Sequence, residues 1–71
     1  MKAVSGKALI RILEKHGWQV VRIHGSHHIL TKAGSEVRLS VPVHGSATLK
    51  TGLVRHVLKL AGLGTDALEP S

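Results

Sequence analysis

Gly25-Ser26-His27-His28 sets two imidazoles directly after two residues suited to a tight turn. Histidine is the side chain whose unperturbed pKa lies nearest neutrality, so it can both take and return a proton there. His24 stands just before the glycine, and Arg22 two residues earlier. A guanidinium beside an imidazole suits work on a phosphodiester. The cation holds the phosphate. The ring removes the proton of a ribose 2′-OH, and that oxygen then attacks the phosphorus. A positioned general base contributes about 10²–10⁴-fold to such a rate. The backbone N–H groups of Gly25 and Ser26, with the Ser26 hydroxyl, add donors for phosphate oxygens. The chemistry these residues point to is metal-independent cleavage of RNA.

Other uses of the same residues fit less well. His24, His27 and His28 lack the i,i+4 spacing of a helical zinc pair, and no nearby carboxylate completes a site. The chain has no cysteine, so thiolate chemistry, disulfides and cysteine-based zinc sites are excluded. Ser26-His27 is not set in a Gly-x-Ser-x-Gly elbow, which argues against a serine hydrolase. His16 and His56 read as charges toward helix C-termini, where the macrodipole favours cations. His44 reads as a loop residue after Pro42.

The elements that must position these residues follow from periodicity. Ser5 can cap a helix running to about His16, with Leu9, Ile10 and Leu13 on its apolar stripe and Ile12 widening it. Lys7, Arg11 and Lys15 are four apart and form a basic ridge; Gly17 is a good stop. Trp18 to His24 reads as a strand and Gly25-Ser26 as a type II′ hairpin turn. Ile29 to Lys32 continues the return strand. A two-residue turn places His24 opposite His27, Ile23 opposite His28 and Arg22 opposite Ile29. Neighbours along a strand point to opposite faces, so His27 and His28 cannot both serve one site directly. His24, His27 and Arg22 would share a face. The two faces of the hairpin are similarly mixed, so hydrophobic patterning leaves the register, and the choice between the two rings, open.

Glu36 to Val41 alternates, with Val37, Leu39 and Val41 on one face and Glu36, Arg38 and Ser40 on the other; Pro42 is expected to end the ladder. Ser46, Thr48 or Thr51 could cap a second helix with Leu53, Val54, Val57, Leu58 and Ala61 as its stripe, ended by Gly62 and Gly64. Residues 64–71 read as a flexible C-terminal tail and residues 1–63 as one domain. The fold class expected is α+β. The elements run α-β-β-β-α, with a three-stranded antiparallel meander and both helices on one face in a two-layer sandwich.

Size and charge bound the function. A chain of 71 residues makes one small domain with a modest core. Trp18 is its only aromatic residue, so Leu, Val and Ile must fill that core. No apolar run approaches a membrane span, and the N-terminus lacks a signal-peptide h-region. A cytoplasmic protein without cofactor or metal is expected. The ten Lys and Arg residues against four acids give a net charge of +6. They are spread along the chain, which favours a phosphate backbone over a lipid surface. Arg22, Lys32, Lys7 and Arg11 are the phosphate-binding candidates.

The whole pattern resembles the HicA toxins, also called the YcfA-like family, over residues 5 to 63. The resemblance rests on the opening helix ending in Gly17-Trp18, on Gly25-Ser26-His27-His28-Ile29, and on Val41-Pro42-Val43-His44. The closing stretch from Lys50 to Leu63 completes it. It implies a double-stranded-RNA-binding-domain-like fold and an mRNA endoribonuclease (an mRNA interferase) acting as the toxin of a type II toxin–antitoxin system. It also implies a HicB antitoxin that occludes the active site. The family's catalytic histidine falls on His27, with His28 the second choice, and Gly25 carries over as the turn residue. The alternatives are a non-catalytic double-stranded-RNA-binding module, since fold and charge fit it equally, and a small domain whose basic face meets an acidic protein.

Overall fold

The computed structural model describes residues 3–68. Helix α1 spans Gly6–Lys15, followed by strands β1 (Trp18–His24), β2 (His27–Lys32) and β3 (Leu39–Pro42), and helix α2 (Thr51–Leu60). A short 3-10 turn, Thr65–Leu68, follows. The sheet is antiparallel with order β1-β2-β3, the expected α-β-β-β-α arrangement.

Local chemistry explains most of the boundaries. Ser5 is extended, and its hydroxyl accepts the Ala8 N–H at 3.1 Å, satisfying one of the free donors at the start of α1. Gly17, at φ 94°, turns the chain out of that helix into β1. Gly25, at φ 58°, supplies the positive φ that the first position of the β1–β2 turn requires.

The hairpin register is the one a two-residue turn dictates: His24 opposite His27, Ile23 opposite His28, Arg22 opposite Ile29. It then shifts. A bulge between Val20 and Arg22 brings Val20, rather than Val21, opposite Leu30, and sets Trp18 opposite Lys32. The physical reason is burial. Without the bulge, alternation would carry Trp18 and Val20 to the open face. With it, Trp18 is 3% exposed and shares the core with Leu30, while the extra residue, Val21, is left 58% exposed.

The core-facing side of the sheet carries Trp18, Leu30, Leu39 and Val41. Leu9, Ile10 and Leu13 of α1 and Val54, Val57 and Leu58 of α2 pack on it. Two backbone contacts bind the segments leading into the helices. Ser5 bridges Thr48, and Leu49 N–H donates to the Val4 carbonyl at 2.8 Å.

Three details differ from the sequence reading. Strand β3 begins at Leu39 rather than Glu36, because Leu30–Leu39 is the last β2–β3 pair. Ser35 instead turns the chain, its N–H donating to the Lys32 carbonyl and its hydroxyl accepting from Val37 N–H. Pro42 ends the ladder as expected, as the last residue of β3, where a proline is tolerated because β3 is an edge strand. Helix α2 begins after Lys50 with no side-chain cap, since Thr48 is held in the bridge to Ser5 and Thr51 is already helical. Residues 64–71 were expected to trail, but Thr65–Leu68 coils back and Leu68 is buried in the core cluster. Residues 69–71 of that stretch lie outside the described residues.

Candidate active site

The turn at Gly25-Ser26 is anchored on both sides. Below it His24 pairs with His27. Beyond β2 the Val43 N–H donates to the Ser26 carbonyl at 2.7 Å, carrying the β2–β3 seam up to the turn itself. His27 pairs with Pro42 on its other flank. His24, His27 and Pro42 therefore form a row across the open face of the sheet, and directly opposed residues stand about 4.5–5.5 Å apart. Arg22 opposes Ile29 on the same face, one alternation further from the turn. Arg22, His24 and His27 are all exposed.

His28 points the other way. It lies between Ile23 and Val41 on the helix-facing side and is half-buried; its Nδ1 is enclosed and has no hydrogen-bond partner among the described residues. The two adjacent histidines thus occupy opposite faces, as strand geometry requires.

Beside His27 the open face deepens into a groove of about 400 Å³. One wall is sheet, His27, Ser40 and Pro42, with Arg38 just before β3. The other is α2, which lies along the β3 edge: Leu53, His56, Val57 and Leu60. On a helix, Leu53, His56 and Leu60 stand three and four residues apart and so share one face. Ser40 and Pro42 share a face of β3 by alternation. The groove brings an imidazole from β2, an imidazole from α2 and the Arg38 guanidinium to one recess.

A family model described as the HicA toxin of bacterial toxin–antitoxin matches residues 6–63. The chain belongs to the HicA toxin family. Its role as the toxin of a toxin–antitoxin system follows, and with it a HicB-type antitoxin as partner. A search of the curated proteins found no match.

For this HicA toxin the structure gathers some of the expected site residues and separates others. Gly25, Ser26, Arg22 and His27 lie together at the turn end of the open face. Lys7 and Arg11 are exposed on α1, in the layer on the other side of the sheet from His27. Lys32 ends β2, five residues and about 17 Å of strand away from His27, its stem lying over Gly17. His44 is exposed in a separate turn closed by the Ala47 N–H to His44 carbonyl bond at 3.0 Å. His16 caps α1, its Nδ1 2.9 Å from the Ile12 carbonyl oxygen.

Sequence reasoning missed His56 as a neighbour of His27. The signal available was its place in the Leu53–His56–Leu60 stripe; what it faces depends on how α2 packs. Among the described residues, no group of three or more His, Cys, Asp or Glu side chains is placed to hold a metal ion. No helix among them is long and apolar enough to cross a membrane.

Proposed function

We propose that this HicA toxin is an mRNA endoribonuclease that uses His27 as its general base or acid, acting in the cytoplasm without a metal. The observation that carries the reading is the exposed His27 at the turn end of the open face, beside Arg22 and His24 and on the rim of a groove with Arg38. The reaction is transesterification. A histidine removes the 2′-OH proton, O2′ bonds to phosphorus, and the P–O5′ bond breaks. The products are a 2′,3′-cyclic phosphate and a 5′-hydroxyl end. Arg22 and the donors of Gly25 and Ser26 bind the phosphate that carries the developing charge. Lys7, Arg11 and Lys32 extend the positive footprint along more distant phosphates. The HicB-type antitoxin inhibits by covering the His27 face.

His28 is the competing base, favoured by one observation: its half-buried ring carries an unpartnered nitrogen. A single experiment separates the two. Wild-type, His27→Ala and His28→Ala proteins are incubated with a labelled transcript in EDTA, and each is expressed in cells to equal abundance. We expect His27→Ala to lose about 10²–10⁴-fold in cleavage and to lose growth inhibition, while still binding antitoxin. Full toxicity of His27→Ala would sink the assignment. Salt-sensitive binding of RNA with no cleavage by wild-type protein would favour the non-catalytic RNA-binding module instead.

A further inference from the structure

Transesterification of RNA needs two proton transfers on opposite sides of one phosphorus. The 2′-oxygen loses a proton as it attacks, and the 5′-oxygen gains one as it leaves. The attacking and leaving oxygens lie roughly in line through phosphorus. One group can serve both only by moving between them; two groups must face each other across the phosphate. The groove beside His27 has imidazoles on two different walls. Its sheet wall holds His27 and Ser40, its helix wall holds His56, and Arg38, just before β3, lines it too. Both imidazoles are exposed on the groove and come from different elements, β2 and α2.

We propose that His56 is the second catalytic group, the general acid that protonates the leaving 5′-oxygen while His27 removes the 2′-OH proton. The proposal rests on the ribonuclease reading of the same groove. Arg38 holds a non-bridging oxygen of the scissile phosphate, and Ser40 adds a hydroxyl donor on the same wall. The proton balance closes within the pair. His27 gains the proton that O2′ loses, and His56 loses the proton that O5′ gains. Solvent then restores both rings before the next turnover. The apolar residues of the helix wall, Leu53 and Leu60, flank His56 and form a surface on which a base or ribose can rest.

The test uses RNA with an ordinary 5′-oxygen at the scissile position and the same RNA with sulfur in its place. A thiolate leaves without needing a proton. His56→Ala and His56→Gln should each cleave ordinary RNA about 10²–10⁴-fold more slowly than wild type. On the sulfur-bridged RNA both should regain nearly the wild-type rate. His27→Ala should be slow on both substrates. His56 is exposed, so both variants should keep the wild-type melting temperature. Undiminished cleavage by His56→Ala overturns the proposal while leaving His27 intact. So does a variant equally slow on both RNAs, or rescue of His27→Ala in place of His56→Ala. Failure of the wild-type protein to cleave either RNA overturns the ribonuclease reading and this proposal together.

Discussion

Gly6→Ala puts the packing of α1 on the sheet to a direct test. Gly6 is the first residue of α1 and is buried against the end of β3. A Cβ added there would collide with the Pro42 carbonyl oxygen, and would stand 3.1 Å from both Pro42 C and Val43 Cγ2. In an unobstructed helix the same change stabilises by up to about 1 kcal/mol, because glycine loses more backbone entropy on folding. Here the neighbour is backbone, and it is tied down. Pro42 is paired with His27, and the Val43 N–H is bonded to the Ser26 carbonyl at 2.7 Å. Forcing extra volume into a packed site costs about 1–3 kcal/mol. A fixed carbonyl puts this site at the upper end, so the net loss after the helix gain is about 2 kcal/mol. For a domain of this size each kcal/mol moves Tm by about 4–8 °C, so Gly6→Ala should melt roughly 8–16 °C below wild type. Gly52→Ala is the control. Gly52 lies in α2, and among the described residues nothing beyond its own helix backbone and chain neighbours comes within 4 Å of an added Cβ, so there the helix gain stands alone and Tm should rise. Thermal unfolding followed by circular dichroism reads both. A Gly6→Ala protein as stable as wild type would refute the contact between α1 and the β3 end.

Two further perturbations probe the site's frame and charge. Gly25→Ala places a side chain at φ 58° in open space, so only backbone strain is added; a loss of about 1–2 kcal/mol in urea unfolding is expected, and less for Gly25→Asn. An unchanged midpoint for Gly25→Ala would contradict the turn geometry. If Arg22 meets one phosphate of single-stranded RNA, Arg22→Ala should reduce the slope of log affinity against log salt by about 0.7. An unaltered slope would remove Arg22 from the RNA contact surface.

The elements around the site were legible because their causes are local. Ser5, Gly17 and Gly25 act within a few residues of themselves, and each does what its chemistry predicts. The opposed pairs His24–His27 and Arg22–Ile29 follow from a two-residue turn, and the split of His27 from His28 follows from strand alternation. The start of β3 and the cap of α2 were misread because they depend on partners far along the chain. Leu39 is set by Leu30, and Thr48 is taken by Ser5.

The sequence by itself determined that a histidine-bearing turn would stand at the end of a hairpin in a basic α+β domain. Periodicity and turn chemistry are properties of neighbouring residues. Tertiary structure decided the rest. The bulge at Val21 trades one exposed side chain for the burial of Trp18 against the core, a choice that only a core can make. The packing of α2 along the β3 edge brings His56 and His27 to one groove from separate elements. No local rule carries such an approach, because burial of Val54, Val57 and Leu58 fixes the helix, and the helix then fixes what its remaining face meets.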